Sequence, residues 1–241
     1  DITPQVARID AHLLAANSVN RLCYAGSVLH TQSDGFHRSR EPIQIGAELY
    51  GEAGAEADLE ILTLMLQGLA ACGVKTLQLD IGHVGVYRAL AQEARLNGAL
   101  EHQLFGALQA KDSSAVAGLT AGLPDALREA FAALPLLYGD RSVLAEARAR
   151  LPQLAAVQAA LDTLEALDRG LPGVEAAYDL AELRGYGYHS GVVFAAYTGG
   201  RSHAIAQGGR YDEVGRVFGR ARPATGFSLD LRELVIARSD A

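Results

Sequence analysis

The feature that most constrains the fold is a long helical pattern that separates two groups of strand-like segments. From Val84 to about Gly170 the sequence is rich in alanine and leucine and is broken only by short polar or Gly/Pro-containing stretches, which is typical of a run of helices. Alternating apolar residues, typical of strands, occur on both sides of this region. We therefore predict an α+β fold, in which a mostly antiparallel sheet flanked by helices is interrupted by a helical insertion.

The individual patterns place the elements along the chain. Before the insertion they predict a helix over 1–16, a hairpin of strands over 20–29 and 41–50, a helix over 58–71 and a strand over 76–82. Thr3-Pro4 suits a helix N-cap followed by proline at the first helical position. After the insertion they predict strands over 176–184, 188–198 and 202–207, and a strand that runs into a helix over 224–237. The predicted domains are a discontinuous core, 1–83 with 171–241, and the insertion, 84–170.

Composition excludes several classes of function. With 49% hydrophobic residues the chain can bury a sizeable core, and no apolar run is long enough to cross a bilayer. The formal net charge of -7 gives no overall basic surface for nucleic acid. Cys23 and Cys72 are too few and too far apart in sequence for a disulfide framework or a metal site, which fits a reducing compartment. We expect a cytoplasmic protein with no metal, no cofactor, no nucleic-acid partner and no membrane partner.

One face of the second hairpin strand carries an unusual set of residues. Gln44, Gly46 and Glu48 alternate onto the same side, and Gln44 and Glu48 are separated by roughly 13 Å at about 3.3 Å per residue. Because Gly46 has no side chain, this spacing predicts a small hollow between two polar walls, suited to a small polar ligand. From periodicity alone, an ordinary half-exposed strand with solvated side chains is the commoner explanation.

The hairpin sequence resembles motif 2 of class II aminoacyl-tRNA synthetases, specifically of histidyl-tRNA synthetases. The resemblance lies in Arg21–Gln32 and in Gln44-Ile-Gly-Ala-Glu48-Leu-Tyr-Gly51. It implies that Gln44 and Glu48 hold an amino acid, with the glutamate facing an imidazole. The opening Asp1-Ile-Thr3-Pro-Gln-Val-Ala-Arg is similar to the family segment whose acidic residue and threonine bind the amino-acid ammonium group, although a simple helix cap is the commoner interpretation of these residues alone.

Two further segments resemble the same family. Leu183-Arg184-Gly-Tyr-Gly-Tyr188-His189-Ser-Gly-Val-Val-Phe is similar to its histidine-specific signature. The resemblance implies that Arg184 binds the amino-acid carboxylate with its guanidinium fork, and that Tyr188 matches the first tyrosine of the signature while His189 replaces the second. Gly208-Gly-Arg-Tyr-Asp212 is similar to the Gly-Gly-Arg-Tyr-Asp signature that follows in the synthetases.

The residues that grip ATP in the synthetases differ in this chain. His30 stands at the position of the motif 2 arginine, Gln32 at that of a glutamate, and Glu233 at that of the motif 3 arginine. A triphosphate needs fixed positive charge, whereas an unperturbed histidine is mostly neutral at pH 7. The resemblance therefore implies that the chain has lost amino-acid adenylation and has no catalytic residues.

A chain that retains the amino-acid pocket but lacks the ATP-binding arginines resembles the family of ATP phosphoribosyltransferase regulatory subunits. This resemblance implies a non-catalytic subunit that activates the short catalytic subunit, forms a homodimer within a hetero-oligomer, and mediates histidine feedback in the first step of histidine biosynthesis. It also implies that an N-terminal part with motif 1 precedes Asp1 and that no anticodon-binding domain follows. An ATP-dependent amino-acid-activating paralogue, a truncated histidyl-tRNA synthetase and a ligand-free scaffold remain alternatives. The interface with the catalytic subunit and the location of inhibitory histidine stay open.

Overall fold

The computed structural model describes residues 1–14, 17–32, 39–199 and 203–239. The chain divides into two compact units, one formed by residues 1–78 with 195–241 and the other by residues 79–194. The domain boundaries predicted above remain a prediction, because a division by packing does not test where an insertion begins and ends.

The described residues contain eight strands and nine α-helices. The strands are β1 (Asn20–Ser27), β2 (Ile43–Tyr50), β3 (Gln78–His83), β4 (Tyr138–Gly139), β5 (Ala176–Asp179), β6 (Val192–Tyr197), β7 (Ala206–Arg210) and β8 (Ala224–Asp230). The helices are α1 (Thr3–Ile9), α2 (Ala55–Ala71), α3 (Val84–Glu93), α4 (Gly98–Gln109), α5 (Ser113–Thr120), α6 (Asp125–Ala133), α7 (Ser142–Arg150), α8 (Ala155–Gly170) and α9 (Leu231–Ser239). No helix within the described ranges is long and apolar enough to span a membrane.

The first unit is built on antiparallel strands in the order β1-β2-β8-β7. The β1–β2 register places Tyr24 opposite Gly46, and the β2–β8 register places Glu48 opposite Gly226. Helix α2 begins after Gly54 with Glu56 in its first turn. The negative charge of Glu56 interacts favourably with the positive end of the helix dipole. It ends at Ala71, and Gly73, two residues later, has a φ of 87° that suits glycine. The predicted hairpin, helix and antiparallel sheet are confirmed.

The second unit contains the six helices α3 to α8, which confirms the predicted run of helices between residues 84 and 170. Strand β5 pairs in parallel with β3 and antiparallel with β4. The core of the unit is apolar, and its largest fully buried side chains include Tyr87, Tyr178 and Phe131. Their burial supplies the main driving force for this part of the fold.

The region after the helices departs from the predicted strands. Strand β5 ends at Asp179, and residues 180–191 form turns rather than the predicted strand continuations. Gly185, with φ at 64°, starts a tight turn in which its carbonyl accepts hydrogen bonds from the Tyr188 and His189 amides at 2.7 and 2.8 Å. The strand predicted over 202–207 lies instead at β7, and residue 202 falls outside the described residues.

The predicted N-cap is also wrong. Helix α1 begins at Thr3 with Ile2 in the cap position and no side-chain cap. The Thr3 hydroxyl instead donates to the Glu48 carboxylate at 2.8 Å. A buried acceptor on the sheet has therefore taken the hydroxyl that a free helix end would use.

Candidate ligand-binding site

The Glu48 carboxylate lies buried in the first unit and is surrounded by hydroxyl groups. Thr3 and Tyr24 donate to Oε1 at 2.8 and 3.1 Å, and Tyr211 donates to Oε2. Glu48 is only 2% exposed, so these bonds replace the solvation that a carboxylate loses on burial. Within the described ranges, Glu48 forms no ion pair with a Lys or Arg side chain.

Burial sets the proton affinity of this carboxyl group. It raises the pKa of Glu48 to about 7, since the charged form loses water, while the hydrogen bonds from Tyr211, Thr3 and Tyr24 act in the opposite direction. Burial of the Tyr50 hydroxyl group, and after it the nearby charge of Glu48, raises the pKa of Tyr50. Glu48 can therefore change its protonation state near neutral pH, which few carboxyl groups do.

Two glycines make room for this arrangement. A Cβ atom on Gly226 would overlap Glu48 Oε2 and lie 2.7 Å from the Ala47 carbonyl oxygen. A Cβ atom on Gly46 would overlap the Tyr24 hydroxyl and the Phe227 carbonyl oxygen. The hollow predicted above Gly46 is therefore wrong, because the ring of its cross-strand neighbour Tyr24 fills that space.

This geometry makes Gly226→Ala a sensitive test of the site. We expect the added methyl group to displace Glu48 and lower the free energy of unfolding by about 1–3 kcal/mol, as overpacking does. Urea unfolding of the variant and the wild type measures the difference. The matched control is Gly68→Ala in α2, where a Cβ atom meets nothing within 4 Å and where alanine should stabilise the helix by about 0.5–1 kcal/mol. Equal stability of Gly226→Ala and wild type would contradict the close packing of Glu48.

Gln44 and Asp1 lie at the start of α1 beside this cluster. Gln44 Nε2 donates to Asp1 Oδ1 at 2.8 Å, and Gln44 Oε1 accepts from the Ile2 amide at 2.8 Å. The Thr3 amide donates to Asp1 Oδ1 at 3.2 Å. The first unit thus brings together four of the predicted ligand-binding residues, Asp1, Thr3, Gln44 and Glu48.

The other three predicted ligand-binding residues lie together on the turn segment of the second unit. The Arg184 guanidinium donates to Glu182 Oε2 at 3.0 Å. The Tyr188 and His189 rings meet edge to face with centroids 5.2 Å apart. The seven predicted residues therefore form two groups, one in each unit.

The positions predicted to have lost the ATP clamp carry little positive charge. Glu233 is buried, with its Oε2 atom 2.9 Å from His203 Nε2, whereas its neighbour Arg232 is exposed. His30 lines a cavity of about 310 Å³ together with Gln44 and Asp230. The described walls of that cavity include no lysine or arginine side chain. Gln32 lies exposed at the end of the described part of the hairpin loop.

The Gly-Gly-Arg-Tyr-Asp signature holds together the elements that lie next to Glu48. Arg210 is buried and donates to Asp58 Oδ2 at 3.1 Å and Asp212 Oδ1 at 3.3 Å. It also donates to the carbonyl oxygens of Glu52 and Gly54 at 3.1 and 3.0 Å. Burial raises the pKa of Asp58, and the charge of Arg210 opposes that shift. Arg210 thus ties the start of α2 to β7, one residue before the Tyr211 that contacts Glu48.

Sequence reasoning missed the supporting residues Tyr24, Arg210 and Tyr211. The signature motif signalled the last two, but Tyr24 is revealed only by the β1–β2 register. No group of three or more His, Cys, Asp or Glu side chains in the described part of the chain could hold a metal ion.

Comparison with known proteins gives consistent results. A family model described as histidyl-tRNA synthetase matches residues 1–234. A protein from Thiobacillus denitrificans described as ATP phosphoribosyltransferase regulatory subunit is 83% identical over 99% of this chain and 74% of its own length. A protein of the same description from Ralstonia nicotianae is 61% identical over 97% of this chain and 61% of its own length.

A solved structure supports the same assignment of the fold. The crystal structure of an ATP phosphoribosyltransferase regulatory subunit/histidyl-tRNA synthetase from Bacillus halodurans superposes with a TM-score of 0.88 at 29% identity, covering 98% of this chain and 63% of that one. The predicted class II synthetase-like α+β fold is confirmed.

Proposed function

The chain belongs to the family of ATP phosphoribosyltransferase regulatory subunits, within the histidyl-tRNA synthetase-like proteins, and from this we propose that it is a non-catalytic regulatory subunit of that transferase. In this role it binds the short catalytic subunit, raises its rate and carries histidine feedback in the first step of histidine biosynthesis. Feedback requires that histidine bind two states of the assembly with different affinity. A homodimer within the hetero-oligomer completes the proposal.

One observation on the structure of this protein supports the proposal. The amino-acid side of the synthetase-like site is assembled around Glu48, while the positions of both ATP-gripping arginines hold His30 and the buried Glu233. An anion at such a position repels a triphosphate, by about 4 kcal/mol for unit charges 4 Å apart at an effective dielectric of 20. A scaffold of this kind can bind an amino acid but has lost the charge needed to adenylate it.

Histidine is the proposed small-molecule ligand. An imidazole N–H group would donate a charge-assisted hydrogen bond to an ionised Glu48 carboxylate. Such a bond is stronger than a hydrogen bond between neutral groups. The ammonium group of the ligand suits the carboxylate of Asp1 and the hydroxyl oxygen of Thr3. The ligand-binding roles of Arg184, Tyr188 and His189 stay predictions.

The test mixes the full-length protein with the short catalytic subunit from the same organism and follows phosphoribosyl-ATP formation. We expect a rate increase of about tenfold or more, equivalent to about 1.4 kcal/mol of barrier, that added histidine suppresses. The catalytic subunit alone and an unrelated acidic protein of similar size are the controls.

Two results would overturn the proposal. An unchanged rate without co-elution of the two proteins would remove the partner. ATP–pyrophosphate exchange that depends on an amino acid would favour the alternative, an amino-acid-activating paralogue or a truncated synthetase, because exchange requires the adenylation step.

A further inference from the structure

The turn segment Arg184–Ser190 of the second unit directs several carbonyl oxygens at one side chain. Arg88, on α3, donates through Nη2 to the carbonyl oxygens of Tyr186 at 3.1 Å and His189 at 3.0 Å. Its Nη1 atom donates to the Ser190 carbonyl oxygen at 3.4 Å. The segment has no helix or strand ladder to engage these carbonyls, so one guanidinium group supplies three of its backbone hydrogen bonds.

The aromatic ring inside the same segment gives a second attachment. The Arg88 guanidinium lies over the Tyr186 ring, 4.9 Å from its centroid. The Tyr186 hydroxyl donates to Glu101 Oε1 at 2.8 Å, and its ring packs against Tyr87 and Phe105 with centroids 5.2 and 5.6 Å away. Helices α3 and α4 therefore hold the segment from both its backbone and its side chain.

These attachments bracket Tyr188 and His189, the two residues predicted to meet the ligand. The carbonyl groups that Arg88 holds belong to residue 186, on one side of the pair, and to residues 189 and 190 at its other end. A planar guanidinium presents five N–H donors in a fixed fork, whereas a lysine ammonium carries three donors on a flexible stem and would hold these carbonyls less rigidly.

We propose that Arg88 is a positioning residue that fixes the Arg184–Ser190 segment in the conformation that meets histidine. This inference rests on the proposed function, since it assigns a role in histidine feedback. Arg88 does not itself contact the ligand in this proposal. It removes the need to order the segment when histidine binds, and preorganisation of this kind strengthens binding.

The experiment uses the full-length protein in complex with the catalytic subunit and compares Arg88→Met and Arg88→Lys with wild type. The first measurement is the histidine concentration that gives half-inhibition, and the second is amide hydrogen exchange of residues 185–190. We expect about tenfold weaker inhibition in Arg88→Met, faster exchange confined to the segment, and an intermediate result for Arg88→Lys, since each immobilised group adds to the cost of binding. The matched control is Arg148→Met in the same unit, which removes ion pairs to Glu165 and Asp162 in α8 and should leave both measurements unchanged.

The outcomes separate this inference from the proposed function. If the wild-type complex ignores histidine, the proposed feedback fails, and exchange alone decides whether Arg88 holds the segment. If wild type responds and Arg88→Met has wild-type histidine sensitivity, the positioning role is overturned, even where exchange increases. If Arg88→Met does not fold, Arg88→Lys decides, and wild-type values of both measurements in that variant overturn the inference.

Discussion

Arg210→Met is expected to lower the free energy of unfolding by about 3–5 kcal/mol, the usual cost of removing one partner of a buried ion pair. The Asp58 side chain paired with Arg210 is only 2% exposed, and the substitution leaves its carboxylate without a cation. The carbonyl oxygens of Glu52 and Gly54 also lose the hydrogen bonds that the guanidinium donates. Urea unfolding at pH 7 measures the loss.

The control for this substitution is Arg216→Met. The Arg216 side chain is 73% exposed and, among the residues that the structure describes, pairs only with Glu213 one helical turn away, so its removal should change stability by no more than about 0.5 kcal/mol. A double variant, Arg210→Met with Asp58→Asn, should recover part of the lost stability because it removes the uncompensated charge. Similar stabilities for Arg210→Met and Arg216→Met would show that the buried pair contributes little.

Stability should fall as the pH rises through the range in which Glu48 titrates. The pKa of Glu48 is 4.5 in the unfolded reference and about 7 in the folded protein, so the folded state binds more protons between these values. Stability therefore decreases as pH rises from 4.5 to 7 and stays low above it, by about 3 kcal/mol in all. Glu48→Gln cannot ionise and should lack this component.

The difference in unfolding free energy between Glu48→Gln and wild type, measured at pH 5, 6, 7 and 8, isolates this group. Glu60→Gln is the control, because Glu60 pairs with Arg21 at the surface and that hydrogen bond lowers its pKa. Because its lowered pKa keeps Glu60 ionised in the folded state across this pH range, the difference between Glu60→Gln and wild type should change little from pH 5 to 8. A pH-independent difference between Glu48→Gln and wild type would contradict a proton-binding Glu48.

The same variant tests the ligand. Under the proposed function, Glu48→Gln should weaken histidine binding about tenfold, since a neutral acceptor replaces a charged one. If binding ionises Glu48, the calorimetric enthalpy at pH 7 should also depend on the ionisation enthalpy of the buffer in wild type and not in the variant. Wild-type affinity in the variant would remove Glu48 from the ligand site.

Local patterns predicted most elements of the fold. The hairpin, α2 and the helices between residues 84 and 170 follow from the period of the apolar residues, which each segment carries within itself. The strands predicted over 176–184 and 188–198 were too long, because turn geometry at Gly185 prevailed over alternation in residues 180–191. The predicted cap at Thr3 failed for a different reason, since a distant carboxylate binds its hydroxyl.

The candidate site was predicted only in part, because some of its contacts come from residues that are distant in the sequence. Resemblance located Asp1, Thr3, Gln44 and Glu48, which the first unit does bring together. The environment of Glu48 could not be predicted, because Tyr24 reaches it through strand register and Tyr211, which follows β7, is 163 positions away along the chain. Burial, and hence the raised pKa, arises only once these strands have paired.

The pairing of β2 with β8 also sets the order in which this protein can form during synthesis. Gln44 of β2 lies opposite Asp230 of β8, so the second neighbour of β2 is made only after residues 79–194 of the second unit have been translated. At about 5–20 residues per second, the ribosome needs about 10–40 s to reach it. The β1–β2 hairpin must wait through this interval with an unpaired strand edge, a form that chaperones bind and that aggregates readily. Slow codons between residues 79 and 194 would lengthen that exposure, and expression yield should be most sensitive to them.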